Sequence, residues 1–476
     1  METAGDKATA NKWMVFLAIG VGSMMGSLDS SIVNTILPVI RTAFKADVAG
    51  IEWVVTVYLL VVSGLLLSFG RLGDLRGHKS VYVYGFVIFI TGSALCGLAP
   101  NQILLTVFRA LQAIGAAILV SNAPAILTMT FPPSQRGQAL GLQSTMTYIG
   151  LTAGPPLGGL LTARFGWRYV FYINVPICLI ALTLSLRYIP HLKPAARAER
   201  FDLAGAATFI AGLVALLLAL NQGQDWGWLS AAVLGLMAAA ALLLFLFVQL
   251  ELHRPDPMLD LGLFRSRLFS AAAATAVLNY VCLYTVLFLL PFYLIQGRGL
   301  GPDQAGLVMT VQPLVMAISA PISGWLSDRI GSRLLSTLGM AILAFGMFRL
   351  SRIGVASPLS SVTLGLGIVG LGTGTFIAPN TSALMGAAPR QRQGVAGGVL
   401  ATARNVGMVL GVGLAGAIFT TVQAHERSAG QAAALLHGIT AGFIVAMFIA
   451  AAGVVTSLVR GAAMPRLEEV QADRAA

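Results

Sequence analysis

The sequence predicts an all-α integral membrane protein with fourteen transmembrane helices, arranged as two six-helix bundles separated by an inserted two-helix hairpin. Three observations carry this expectation. The composition is 57% hydrophobic and only 10% charged, with a mean hydropathy of +0.83, far from that of a soluble domain. Apolar segments of about 20 residues, enough to cross a bilayer, recur along the whole chain. A glycine–aspartate turn pattern also occurs twice, each time after the second span of a six-span block.

The first candidate span, 13–38, follows a polar tail, 1–12. It is too long for a signal-peptide core and is read as a retained span. Candidates at 51–70, 80–99, 102–127, 137–163 and 169–189 complete a first block, 13–189. The connector, 190–268, holds two more, 204–220 and 229–249, with Trp226 and Trp228 in their turn as interfacial anchors. The last block, 269–460, contains 269–296, 304–327, 333–350, 358–383, 394–421 and 437–460, and a polar tail, 461–476, follows.

An even count places both termini on one side. Of the 30 Lys and Arg, 20 fall on the side of the N-terminus, 8 on the other, and two, Arg109 and Arg404, within spans. The positive-inside rule then puts both tails in the cytoplasm. The net charge of +12 is therefore an orientation signal, scattered over short loops, and not a nucleic-acid footprint. Cys96, Cys178 and Cys282 each sit in an apolar segment, so neither a disulfide framework nor a cysteine metal site is expected.

The repeated turn reads Gly70-Arg71-Leu72-Gly73-Asp74-Leu75-Arg76-Gly77-His78-Lys79 in the first block and Gly324-Trp325-Leu326-Ser327-Asp328-Arg329-Ile330-Gly331-Ser332-Arg333 in the second. One internal duplication explains both. The glycines permit a tight reversal, the aspartate can accept hydrogen bonds from a helix N-terminus, and the basic residues hold the turn in the cytoplasm. In span 5, Gly150, Gly154, Gly158 and Gly159 with Pro155 and Pro156 predict a helix cleared of side chains on one face and broken near mid-membrane. Broken helices are tolerated in lipid only where they pack in protein or face a cavity.

These residues resemble the major facilitator superfamily, in particular its fourteen-span drug:proton antiporters, over essentially the whole chain. The matching parts are Leu28-Asp29-Ser30-Ser31-Ile32-Val33-Asn34-Thr35-Ile36-Leu37-Pro38 in span 1, the two turns, Arg109-Ala110-Leu111-Gln112-Ala113-Ile114-Gly115 in span 4, and the Gly150–Gly159 run, which is similar to the family's antiporter motif. Ser30 stands where the family usually has threonine, and Ala113 where a glycine is common. The resemblance implies a multi-pass protein of the bacterial inner membrane that exports lipophilic compounds in exchange for protons. It also implies a role for the span 4 motif in proton transfer.

Among the 18 Asp and Glu, Asp29 is the only carboxylate well inside a predicted span. Ionisable groups there are costly and usually line a pathway. Asp29 is accordingly expected to be the proton-coupling group, with partial desolvation favouring its neutral form. Arg109 is expected to pair with it or with carbonyls near span 5, and so to tune it. Arg404, with Gly394, Gly397 and Gly398 at the start of its span, is assigned a structural role, the glycines packing against the Asp74 turn. By resemblance, the substrate pocket is expected from Asn34, Tyr58, Gln112, Gln143, Tyr148, Asn279, Tyr280, Tyr284, Gln312, Phe376 and Asn380. A mostly apolar, aromatic cavity suits amphiphilic cargo, cationic or neutral.

Other classes fit poorly. None of the five lysines follows a glycine, which excludes the phosphate-cradling loop of an ATP-driven pump. The five histidines fall in loops or near span ends, so no enzyme site or metal centre is expected. No cofactor is expected beyond the proton as coupling ion. The expected partners are an amphiphilic small molecule, the proton and the bilayer, with no nucleic acid and a functional monomer. The motifs identify machinery and not cargo, so a dedicated exporter of an endogenous antibiotic, lipid or metabolite stays open beside a multidrug pump. The 25 arginines against 5 lysines point to a GC-rich bacterial genome.

Overall fold

The computed structural model describes residues 4–459 apart from 47, 191–200, 228, 355–356 and 427–430. The first bundle comprises α1 (Ala4–Phe44), α2 (Val48–Arg76), α3 (His78–Leu98), α4 (Gln102–Thr130), α5 (Arg136–Phe165) and α6 (Tyr169–Tyr188). The hairpin is α7 (Leu203–Trp226) and α8 (Ala231–His253). The second bundle comprises α9 (Arg267–Gly297), α10 (Gln304–Ile330), α11 (Ser332–Ser351), α12 (Leu359–Ala387), α13 (Gln393–His425) and α14 (Gln431–Leu458). Thirteen of these pass as membrane spans by length and apolarity. The fourteenth, α5, is 30 residues long but diluted by glycine, proline, Gln143, Ser144, Thr145 and Thr147. The 461–476 tail and Trp228 lie outside the described residues. Helix α1 begins at Ala4, so the described polar residues before Trp13 are helical and continuous with the first span, which runs Lys12–Leu37.

Span 5 corrects the expectation of a broken helix. It runs as a continuous helix through Pro155 and Pro156. Pro155 has no N–H to give the Leu151 carbonyl one turn earlier, and Ser31 Oγ of α1 donates to that carbonyl instead, at 2.8 Å. A neighbouring side chain thus supplies what proline removes. Gly150 and Gly154 make this possible, since a Cβ on either would collide with Met24 or Ser31 of α1. Gly158 only touches Ile36, and Gly159 faces open space.

Each bundle encloses its own core. Tyr82, Phe86, Phe89 and Phe171 are buried in the first, and Tyr293, Phe376 and Phe443 in the second. The hairpin joins a third cluster in which Phe209, Leu213, Leu217 and Phe247 pack with Leu60 and Leu67 of α2 and Val395 and Val399 of α13. It therefore covers the seam where α2 meets α13. Asp202 ties the hairpin's ends together, capping α7 at Gly205 N (2.9 Å) and pairing with Arg254 (2.8 Å). In lipid such polar ties and close small-residue contacts hold helices together, each hydrogen bond contributing on the order of 0.6 kcal/mol.

The bundles touch along two seams, α2 with α13 and α5 with α10. The contacts gather towards the end that holds the two aspartate turns. Asn405 Nδ2 donates to Ser63 Oγ (2.8 Å) on the first seam, and Thr145 Oγ1 donates to the Ala317 carbonyl (2.8 Å) on the second. Towards the opposite end, α1 exposes Asn34 and Thr35 and partly exposes Ser23, Ser27 and Ser30. Ser23, Ser27, Ser30 and Asn34 follow helical spacing on one face. Such a polar stripe at membrane depth faces water or protein and not lipid.

Candidate functional site

Asp29 is fully buried inside the first bundle, held by three donors from two other helices. Arg109 Nη1 of α4 donates to Oδ2 at 2.7 Å, and Gln112 Nε2, one turn along the same helix, donates to Oδ1 at 2.9 Å. Asn174 Nδ2 of α6 also donates to Oδ1, at 2.6 Å. Ser93 Oγ of α3 accepts from both amides at 2.7 Å and fixes their orientation. Arg109 further donates to the Gln112 side-chain oxygen (2.7 Å) and, through Nε, to the Val54 carbonyl (3.3 Å). Its guanidinium carbon lies 4.0 Å from the centroid of the Tyr58 ring.

A carboxylate out of water is stable only when paired and hydrogen-bonded, and every group facing Asp29 is a donor. Of the residues expected in the substrate pocket, Gln112 lies in the Asp29 cluster and Tyr58 covers Arg109. Asn174 and Ser93 were missed; their signal was a lone polar side chain in an otherwise apolar helix. Asn174→Ala is expected to raise the sensitivity of transport to external pH and to lower thermal stability by about 1–3 kcal/mol through the lost bond and the unsatisfied partner. A melting curve in detergent and a transport pH profile would check both.

The aspartate turns form two matched clasps. Asp74 accepts from Gly394 N (2.7 Å) and Val395 N (2.9 Å) in the first turn of α13. Asp328 accepts from Gly137 N (2.8 Å) and Gln138 N (3.0 Å) in the first turn of α5. Each bundle thus caps a helix of the other with a carboxylate, where the helix dipole favours it. Paired glycines allow the approach: a Cβ on Gly70 or Gly394 would collide with the other's carbonyl, and the same holds for Gly137 and Gly324. Gly77 and Gly331 follow the clasps with φ of +90° and +88°, a conformation that favours glycine. Lys79 then donates to the Leu186 carbonyl (2.7 Å) at the end of α6, as Arg333 does to the Leu458 carbonyl (2.6 Å) at the end of α14.

Gly73 packs under Asn122 and His78, Arg329 stacks on Trp325 (3.9 Å), and Arg76 is exposed. Replacing Asp74 and Asp328 together by asparagine sets an amide NH2 against a backbone N–H at each clasp. Each change is expected to cost about 1.5–3 kcal/mol of clasp stability. Hydrogen–deuterium exchange in peptides spanning 136–139 and 393–396 should accelerate in the double variant.

Of the remaining predicted pocket residues, some belong to packing. Phe376 is buried in the second core, Asn279 is buried against Met340 Sδ (3.5 Å), and Asn380 donates to the Ala272 carbonyl (3.1 Å). Gln143 bonds Ser23 Oγ (3.1 Å), and Gln312 is buried with Nε2 unpartnered. Asn34 is on the exposed stripe of α1. Tyr148 is buried, and Tyr280 and Tyr284 of α9 pack on Gly407 and Gly411 of α13.

Comparison with known proteins agrees with this architecture. The family profile described as Major Facilitator Superfamily matches residues 19–274, 203–412 and 272–469. The chain is 37% identical to the riboflavin transporter RibZ of Clostridioides difficile over 409 residues, 86% of this chain and 88% of that one. It is 35% identical to the multidrug resistance protein Stp of Mycobacterium tuberculosis over 408 residues, 85% of this chain and 75% of that one. The fold is similar to the crystal structure of the human organic anion transporter MFSD10 (TETRAN), with a TM-score of 0.68 at 16% identity, covering 94% of this chain and 99% of that one. The chain belongs to the Major Facilitator Superfamily and is a multi-span membrane transporter, not an enzyme.

Proposed function

We propose that this transporter is a proton-coupled exporter of lipophilic small molecules that works by alternating access, with both termini in the cytoplasm of a bacterial cell. The observation that carries the reading is the fully buried Asp29–Arg109 pair beside Tyr58, in a bundle clasped to its partner near the aspartate turns. In this conformation the clasps shut the tail side and the α1 stripe opens to the other. A proton arriving from that side would take Asp29 out of the pair, leaving Arg109 to Gln112 and the Val54 carbonyl. With its charge neutralised, the carboxyl no longer holds α1 against α4, and the bundles can exchange one set of contacts for the other. Proton release on the tail side restores the pair. With Asp29 the one carboxylate well inside a predicted span, one proton per cycle follows, in a functional monomer.

The names of the relatives support transport of small molecules and leave two cargo readings. Stp is named for multidrug resistance, which supports a broad drug pump. RibZ is named a riboflavin transporter, which fits loosely with a carrier dedicated to one compound. The test is transport in proteoliposomes with an imposed pH gradient, using ethidium, tetraphenylphosphonium and riboflavin. Gradient-dependent movement that stops when the gradient is collapsed is expected. Movement indifferent to the gradient overturns the coupling, and movement of riboflavin alone selects the dedicated exporter.

A further inference from the structure

One buried histidine takes no part in the Asp29 cluster. His78 opens α3 directly after the Gly77 turn, and its ring is wedged beneath the first turn of α13, where a Cβ on Gly394 would meet Cε1. Nδ1 lies 2.7 Å from Asn122 Oδ1 of α4, and Nε2 lies 3.3 Å from Asp74 Oδ1, the oxygen that also accepts from Gly394 N. Gly73 leaves room for this arrangement, since a Cβ there would fall on the bond between His78 and Asn122. All three side chains, His78, Asp74 and Asn122, are buried.

The hydrogen bonds place the protons. Asn122 Nδ2 donates to the carbonyls of Phe69 (3.1 Å) and Ile118 (3.0 Å), and turning the amide over would set its oxygen against both of them. The side-chain oxygen therefore faces His78, where it can only accept, so Nδ1 carries a hydrogen. A neutral ring has no second hydrogen, and its Nε2 lone pair would then face the Asp74 carboxylate. A doubly protonated ring turns that contact into an ion pair.

From α2, Asp74 favours this charge, while Arg71, buried one turn before it, and the positive end of the α13 dipole oppose it. Helix α4 presents the neutral Asn122 and α13 the uncharged Gly394. Arg76 is exposed, Lys79 is turned to the Leu186 carbonyl, and Arg392, at the N-cap of α13, reaches Asp260 (4.0 Å). The opposing charges keep the hold on the proton from being permanent. Ser332 stands after Gly331 where His78 stands after Gly77, so of the two turns only the first carries a titratable ring.

We propose that His78 is a second proton-binding site, separate from Asp29, filled while the α2–α13 clasp is shut and emptied to the tail side when α13 moves away and uncovers the ring. This rests on the clasp opening during transport. The proton comes from and returns to the same side, so it adds nothing to the exchange ratio and makes the clasp respond to the pH there. By linkage, the shut state, which binds one more proton, is favoured at low pH and loses that advantage as the pH rises. An acidified interior therefore holds the clasp shut and stops a carrier that admits protons in exchange for cargo.

The test uses the full chain in lipid nanodiscs, with Cys96, Cys178 and Cys282 replaced by alanine and spin labels at Arg76→Cys and Arg390→Cys. Pulsed dipolar spectroscopy then reads the clasp distance across the histidine range, about pH 6 to 9. The open-to-shut ratio is expected to rise with pH, by up to about tenfold per pH unit. His78→Gln should flatten the profile, and His78→Arg, which stays charged, should flatten it with the clasp shut. The same profiles are expected with Asp29→Asn and Arg109→Gln both present, where the coupling pair cannot contribute. A distance that ignores pH in the parent, a rise that survives in His78→Gln, or one that disappears with the coupling pair overturns the proposal.

Ring-nitrogen NMR reads the proton directly. In the shut clasp the His78 resonances, identified by their loss in His78→Gln, should be those of a doubly protonated ring at a pH where the exposed His253 and His425 are neutral. A neutral His78 in a shut clasp also overturns the proposal. Failure of the coupling reading shows elsewhere, as transport indifferent to the gradient, and leaves the clasp profiles unchanged.

Discussion

Asp29→Asn is expected to abolish export driven by a pH gradient while leaving exchange of cargo against cargo across vesicles at equal pH. Asparagine fills the same volume and can still accept from Gln112 or Asn174, but it cannot take up a proton. The change also strands Arg109, whose remaining partners are the Gln112 oxygen and the Val54 carbonyl. Removing one member of a buried pair costs about 3–5 kcal/mol because the other charge is left uncompensated. The single variant should therefore melt earlier, and Asp29→Asn combined with Arg109→Gln should recover much of that stability without recovering coupling. Gradient-driven export that survives in Asp29→Asn would mean that the carboxylate serves packing alone.

Gly394→Val is expected to hold the α2–α13 clasp open and to stop transport. The side chain would occupy the space of the Gly70 carbonyl, and a backbone carbonyl inside a packed helix has nowhere to move. Spin labels at Arg76→Cys and Arg390→Cys, both at exposed positions beside that clasp, should report longer distances by pulsed dipolar spectroscopy than in the parent. Gly324→Val should do the same at the other clasp, by symmetry of the duplicated turn. A closed-state distance retained in Gly394→Val would show that the glycine contact does not set the closure.

Much of the fold was legible because each span must satisfy its own backbone and shed its polar side chains, which writes length and apolarity into the sequence. The duplicated turn was legible for a similar reason: a positive φ at Gly77 and Gly331 and a helix-capping aspartate tolerate few substitutes. The unbroken α5 was not legible, because the group that compensates Pro155 is Ser31, 120 residues earlier. Asp29 and Arg109 stood out as charges in lipid. Asn174 and Ser93 did not, since an amide or hydroxyl in a span more often serves packing and only the fold brings these two to Asp29. Arg404 was visible as a charge, whereas the packing of Tyr280 and Tyr284 on Gly407 and Gly411 of its helix comes from α9 and appears only in the fold.

The hairpin makes the two seams mechanically unequal. Where α2 meets α13, its side chains lie over the joint, with Ile210 and Val214 against Gly64. Along α5 and α10 there is no comparable cover among the described residues. When the bundles part, lipid tails can follow into the α5–α10 gap, whereas the other gap is already backed by an ordered protein surface. A molecule dissolved in one leaflet therefore finds a single lateral doorway instead of two. The pair of added helices acts as a gasket that gives the rocking motion a sealed edge and an open one.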